Sequence, residues 1–334
     1  MKNLNILINC PLNFDIKTMD SKLGGIEILN ISLAKMLNKK GFNITISSNC
    51  KRKNKMGNIT NLPIKTIIKK NKYYRFDTII SSNDATIFKY FGESKKILWL
   101  HNKLQIEKSL RKKQFLSIIK HKPISIFVSN YLKKKTSILY PFKKRLIINN
   151  FLTDHFYSKK TILKRKPIFI WSVQRTKGLD KTINIWINEV FPNLKNAKFY
   201  IFGVKTIPKN YKQNFLKSKN IFFKGKVNRN ILRKYYSNSM GMICLGYDET
   251  FCLNALEANS MGLPIISFGY SALNEIIKNN YNGFIIKDYN QLSNKIISII
   301  NFNNSYRNKI INNSLLASKK FDRYIIIKKW LKII

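Results

Sequence analysis

Asp248-Glu249-Thr250-Phe251-Cys252-Leu253-Asn254-Ala255-Leu256-Glu257-Ala258-Asn259-Ser260-Met261-Gly262-Leu263-Pro264 lies between two short aliphatic runs, Met240–Leu245 and Leu263–Phe268. Both runs read as buried parallel strands. The residues between them predict one short helix from Thr250 to Met261, with Thr250 placed to cap it and Gly262 placed to end it. The stretch is therefore a βαβ unit with Glu249 in the strand-to-helix turn.

The first N–H groups of a helix lack intrahelical partners and carry the positive end of its dipole, so an anion fits there. Glu249 is expected to face the crevice at the carboxyl ends of the strands, the usual ligand site of open α/β sheets. Glu257 follows about two helical turns later. Two carboxylates on either side of a bound phosphate suit a ligand with hydroxyl groups at both ends, which is the pattern of a nucleotide-diphosphate sugar. A lone glutamate at position 257 would read more readily as a cap or salt bridge in a solvated helix face.

The wider motif is more specific. Glu-Thr-Phe-Cys-Leu, the seven residues between Glu249 and Glu257, then Glu-Ala-x-x-x-Gly-x-Pro-Ile-Ile and Asn282-Gly283-Phe284, resemble the retaining GT-B glycosyltransferases grouped as family 4. The resemblance implies that Glu249 works near the donor sugar and Glu257 at the nucleotide ribose. It places Thr250, Phe251, Cys252 and Leu253 along the donor site. Cys252 stands where the family usually has Gly, and Gly269-Tyr270-Ser271 is bulkier than the usual small-residue loop.

The 334 residues suit two domains. Four cysteines at 10, 50, 244 and 252 show neither metal-ligand spacing nor a disulfide framework, which favours a reducing compartment. No apolar run reaches about 20 residues, so a cytoplasmic protein is expected, peripheral on a membrane at most. Lys and Arg number 62 against 16 Asp and Glu, a net charge of +46. Part of that fits coding bias toward Lys, Asn and Ile, yet the field would still attract anionic lipid, nucleic acid or polyanionic acceptors. The basic runs are scattered, and no nucleic-acid-binding module is recognisable.

In chain order, Leu4–Asn9 reads as the first strand and is followed by Gly24-Gly25 and a helix with apolar residues at 26, 29, 33, 36 and 37. Gly24-Gly25-Ile26-Glu27 matches the family's glycine-rich loop, which implies a donor-phosphate role for Gly24 and Gly25. Further strands are predicted at Phe42–Ser47, Phe76–Ser81, Lys96–Leu100, Ile124–Ser129 and Leu146–Asn149. His101 follows one of them directly, where an imidazole could bind an acceptor hydroxyl or steady the reacting sugar. Family members often carry a histidine there.

The polar, basic stretch 151–166 reads as a linker between an acceptor-side domain, 1–150, and a donor-binding domain, 167–318. Residues 319–334 are expected to form a terminal helix crossing back to the first domain, or one lying on a membrane. After the strand Ile168–Val173, Arg175 and Lys177 sit in a turn that suits a diphosphate, and Lys-Gly-Leu-Asp resembles the family's leaving-group turn. Strands Ala197–Gly203 and Asn220–Gly225 follow. Gly225 and Val227 occupy the family's Gly-x-Val position beside the nucleotide base.

The fold class expected is α/β, a GT-B arrangement of two Rossmann-like domains with mostly parallel sheets facing a central cleft. The expected reaction is hexosyl transfer from a nucleotide-diphosphate sugar, the co-substrate, to a hydroxyl of a glycan or lipid-linked acceptor with retention, in cell-surface polysaccharide or glycolipid synthesis. No acidic metal cluster is recognisable near the motifs, so activity without a metal is expected. A nucleotide-sugar epimerase of the same fold and a basic nucleic-acid-binding protein are the alternatives.

Overall fold

The computed structural model describes residues 4–18, 23–156, 164–204 and 206–334. They fall into two compact units: the chain up to Thr153 together with Arg323–Ile334, and Asp154–Asp322.

The first unit is built on eight strands: β1 (Asn5–Asn9), β2 (Asn43–Ser48), β3 (Asn54–Met56), β4 (Ile59–Pro63), β5 (Thr78–Ser82), β6 (Lys95–Leu100), β7 (Ile124–Phe127) and β8 (Lys144–Ile147). Their order is β3-β4-β2-β1-β5-β6-β7-β8. All neighbours run parallel except the edge hairpin β3–β4. Helical crossovers cover both faces of such a sheet, which is why Ile6, Leu7 and Ile8 are buried in succession instead of alternating with polar residues. The strand order turns at β1 and β5, the position where open α/β sheets form a crevice. There Asn9 donates to Ser81 Oγ at 2.9 Å and accepts from Ser47 Oγ at 2.7 Å, tying three carboxyl ends together.

The helix after β1 runs Gly25–Asn38 and buries Ile28, Leu29, Leu33, Ala34 and Leu37. The terminal helix, Arg323–Leu331, packs within this same unit: Trp330 meets the edge of Trp99 from β6 with ring centroids 5.0 Å apart. The segment expected to cross, 319–334, divides at Asp322. Lys319–Phe321 remains in the second unit, where Phe321 packs edge-on to Phe251 at 5.6 Å.

The second unit holds six parallel strands: β9 (Lys166–Trp171), β10 (Lys198–Phe202), β11 (Ile221–Gly225), β12 (Ser239–Ile243), β13 (Ile265–Ser267) and β14 (Gly283–Ile285). Their order is β11-β10-β9-β12-β13-β14, so the turn in strand order falls at β9 and β12. One face of the sheet is filled by aromatic residues. The helix Leu179–Ile185 passes into a π-helical turn, Trp186–Val190, which sets Trp186 in stacking contact with Phe199 at 5.0 Å and edge-on to Phe169 at 6.1 Å.

The unit between β12 and β13 is the predicted βαβ, but its helix is shorter. It spans Leu253–Ser260 instead of Thr250–Met261. Its end is as expected: Gly262, at φ +71°, donates to the Asn259 carbonyl, and Leu263 donates to the Ala258 carbonyl, both at 3.0 Å. That paired closure satisfies carbonyls the helix leaves open, and it needs a left-handed residue that glycine supplies without a Cβ clash.

The stretch expected as a linker, 151–166, is narrower where it is described. Phe151, Leu152 and Thr153 are buried in the first unit and Lys166 opens β9, while 157–163 lie outside the described residues.

Candidate active site

The site in the second unit assembles at the carboxyl ends of β9 and β12. After β12 the chain continues through buried Cys244 and Leu245, turns at Gly246, and delivers Glu249. After β9 it forms a single 3₁₀ turn, Arg175–Lys177, closed by Gly178 at φ +101°. These two loops meet. Lys177 Nζ lies 3.7 Å from Glu249 Oε1 and donates to the Asp248 carbonyl at 3.4 Å. Gly246 permits the approach, since a Cβ there would stand 3.0 Å from both Glu249 Oε1 and Lys177 Cδ. Burial pushes the Glu249 carboxyl above its ordinary value, and the Lys177 ammonium pulls it back.

Arg175, expected beside Lys177 on a diphosphate, is paired with Asp180 here. Its Nε and Nη2 grip Asp180 Oδ1 and Oδ2 at 2.9 and 2.7 Å in an exposed bidentate pair. Asp180 is five residues away in the first turn of the next helix, so the local partner captures the fork.

Thr250 and Phe251 are not helical, and the Phe251 side chain is buried against Phe321. At most its backbone could face a ligand. Cys252 is the N-cap, in the left-handed region at φ +63° and ψ +76°. That conformation explains why the resembled family favours glycine here, and Cys252 adopts it despite its Cβ. No side chain caps the helix that starts at Leu253, so its first amides remain open at the same end of the sheet as Glu249.

Glu257 is fully buried, not set in a solvated face. Its Oε1 forms a close ion pair with Arg229 Nη1, from the first turn of the helix Arg229–Asn238. Its Oε2 is buried and has no hydrogen-bond partner. Burial raises the carboxyl's pKa, opposed by Arg229. Tyr236, from the same helix as Arg229, bonds Ser172 Oγ at 2.7 Å, and Asn254 donates to the Ser172 carbonyl. The Arg229 guanidinium lies 5.9 Å from the Phe156 ring centre.

Arg229, Tyr236 and Asn254 are absent from the sequence-based set. Arg229 follows Asn228, which caps its helix by accepting from Ile231 N at 2.9 Å. An N-cap pattern after β11 was the available signal, but one cation among 62 does not stand out.

One further expectation is altered. Cys244 and Cys252, read as lacking ligand spacing, bring their sulfurs to 3.7 Å, and Glu249 offers an oxygen within 4.8 Å of both. The loop between them folds back, so three groups with the chemistry to hold a metal lie together beside the motif. Gly225, at φ +61°, and the half-buried Val227 stand at the end of β11.

In the first unit, Gly24 caps and Gly25 opens the helix after β1, and a Cβ on Gly24 would meet the Glu27 carboxylate at 2.6 Å. His101 follows β6, buried beneath Trp99 with ring centroids 4.4 Å apart. Its backbone N–H donates to Asn83 Oδ1 at 2.8 Å. Burial lowers its pKa to about 3, so the imidazole is neutral at physiological pH.

Residues 155–315, nearly all of the second unit, match the family profile described as glycosyl transferases group 1. That unit is thus similar to the group 1 glycosyltransferases. The two mostly parallel sheets with their helices make a GT-B fold of two Rossmann-like units, as in several solved structures. Sucrose-phosphate synthase from Thermosynechococcus elongatus superposes with a TM-score of 0.75 at 14% identity, over 99% of this chain and 98% of that one. A glycosyltransferase from Rickettsia africae gives 0.74 at 19%, over 100% and 98%. HepE of Anabaena, solved with UDP and glucose, gives 0.71 at 15%, over 98% of each chain. No curated protein sequence matches the chain. The chain is a glycosyltransferase whose family match lies on the second unit.

Proposed function

We propose that this glycosyltransferase moves a hexosyl group from a nucleotide-diphosphate sugar to a hydroxyl of a glycan or lipid-linked acceptor, with retention of configuration. The observation that carries the reading is the Lys177–Glu249 pair beside the open start of the helix Leu253–Ser260. A departing diphosphate would meet the Lys177 ammonium and the amides of Leu253 and Asn254, donors fixed before the reaction begins. Glu249 then holds sugar hydroxyls. Glu257 Oε2, buried and without a partner, suits a ribose hydroxyl, which would give that oxygen the bond it lacks. HepE of Anabaena, of the same fold, has been solved with UDP-glucose.

Gly225 and Val227 are assigned to the base side and Gly24 and Gly25 to a donor phosphate. Neutral His101 is assigned to the acceptor side as a hydrogen-bonding group. Lys177 is favoured over Arg175 for the leaving group because Arg175 is held by Asp180. Fixed cations and amides supply the charge that a divalent ion would otherwise bring, so turnover in EDTA is expected. A strict need for Mg²⁺ or Mn²⁺ would count against this mechanism.

The reading is tested with UDP-, GDP-, ADP- and TDP-sugars in a thermal-shift assay. At least one donor should stabilise the wild type, by about 2.7 kcal/mol at a hundredfold excess over its Kd, and Glu257→Ala and Lys177→Ala should mute the response. A folded protein indifferent to every donor sinks the proposal. Hydrolysis or epimerisation of the donor with no acceptor consumed would favour the epimerase instead.

Surface charge and exposed apolar residues also support docking on an anionic membrane from the cytoplasmic side. In the first unit Leu116, Ile138 and Leu139 are exposed, in segments that also expose Arg111, Lys112 and Lys134. Tyr140 joins the segments, 2.9 Å from Ser109 Oγ and edge-on to Phe115 at 5.4 Å. No helix among the described residues is long and apolar enough to cross a bilayer. Sedimentation with phosphatidylglycerol vesicles at low salt should exceed that with phosphatidylcholine, and Leu116→Asp with Ile138→Asp should weaken it. Equal binding to both lipids would reject the docking.

A further inference from the structure

We infer that Cys244, Cys252 and Glu249 form a binding site for a soft divalent cation of the zinc type, and that the metal and the sugar donor exclude each other. Cys244 ends the chain's passage out of β12, and Cys252 caps the helix Leu253–Ser260. The intervening loop returns the second sulfur to 3.7 Å from the first. A disulfide bond is far shorter, about 2.05 Å. Two thiolates on one tetrahedral zinc, each at about 2.3 Å, stand about 3.8 Å apart, which is the separation found. A carboxylate oxygen of Glu249 lies within 4.8 Å of both sulfurs. It closes the three-ligand set by a side-chain movement of about 1 Å, given Zn–O near 2.1 Å.

The ligand chemistry selects the metal. Two thiolates favour zinc or cadmium, whereas magnesium and calcium take oxygen ligands. Charge also balances: two thiolates and a carboxylate against a divalent cation leave one negative charge, which faces Lys177 Nζ, now 3.7 Å from Glu249. Three protein ligands leave a fourth position for water. Cys244 is buried and Cys252 only partly so, so the entry path runs past Cys252.

The exclusion follows from Glu249, because the movement that carries its carboxylate onto the metal withdraws it from the sugar hydroxyls, and this half rests on the donor reading above. The left-handed Cys252 thus gains a second meaning. At a position where glycine would serve the backbone alone, its side chain supplies a ligand.

The test uses the reduced, EDTA-stripped full chain. Titration with Co²⁺ should produce a thiolate-to-cobalt charge-transfer band saturating at one equivalent, which Zn²⁺ then bleaches. Cys244→Ser and Cys252→Ser should each lose the band and weaken Zn²⁺ binding by more than the roughly 10–100-fold typical of outer-shell changes. Cys50→Ser, a substitution in the first unit, should keep it. If a serine variant does not fold, alkylation of the wild type mapped by mass spectrometry decides: Zn²⁺ should shield Cys252 and leave Cys50 reactive. A folded, reduced wild type with no band and no shielding overturns the site, as does a band that survives both serine substitutions. Donor stabilisation undiminished in the Zn²⁺-loaded protein overturns the exclusion. Because the cobalt band needs no donor, a silent donor panel would sink the transferase reading alone.

Discussion

Replacing Arg229 by methionine should lower the unfolding free energy by about 3–5 kcal/mol, since it leaves Glu257 as a buried carboxylate stripped of its partner. The environment permits no easy repair: Glu257 is fully buried and its second oxygen already lacks a hydrogen bond. The loss should show as a lower urea midpoint with unchanged slope. It should also depend on pH with a defined sign. A carboxyl whose folded pKa exceeds its unfolded value holds its proton more tightly when folded, so stability falls as pH rises through that window. Burial already raises Glu257 above its ordinary 4.5 against the pull of Arg229, and removing the arginine leaves burial unopposed. The deficit against wild type should therefore be full at neutral pH and shrink as pH falls toward 4.5. A deficit independent of pH would mean that Arg229 acts by packing alone.

Lys177→Ala should act the other way, sparing the fold and removing turnover. The lysine is partly exposed, and its pair with Glu249 spans 3.7 Å, so its stability contribution should be under about 1 kcal/mol. As a fixed cation at the leaving diphosphate its loss should lower kcat by about 10²–10³-fold, the cost of deleting one preorganised charge stabiliser. Lys177→Arg should recover part of that rate. Measured on the donor that responds in thermal shift, a kcat within tenfold of wild type would remove Lys177 from the leaving-group role.

What could be read from the sequence follows from the range of the interactions involved. The strands flanking Asp248–Pro264 are legible because doubly covered parallel strands are continuous apolar runs, and Gly262 marks the helix end by itself. The helix start was misplaced by three residues because Thr250 has the right chemistry for a cap, whereas the chain places left-handed Cys252 there. The hairpin β3–β4 went unseen since Asn54–Met56 carries no apolar run. Arg229 and the cysteine pair were hidden for a different reason. Each depends on a partner brought close only by folding: Glu257 is 28 positions beyond Arg229, and Cys252 is returned to Cys244 by an irregular loop. Arg175 was the opposite case, since its partner Asp180 stood in plain view five positions on.

The chain leaves the first unit at Thr153 and re-enters it at Arg323, so that unit is discontinuous in sequence. During synthesis, its sheet emerges early while Trp330, the residue that covers Trp99, emerges long after it. At about 5–20 residues per second, the roughly 170 residues in between impose a wait of about 10–30 s, long enough for the intervening unit to fold first. Over that interval the nascent protein carries a bare tryptophan on its sheet, and a ribosome that stops before Arg323 releases a chain that never acquires its cover.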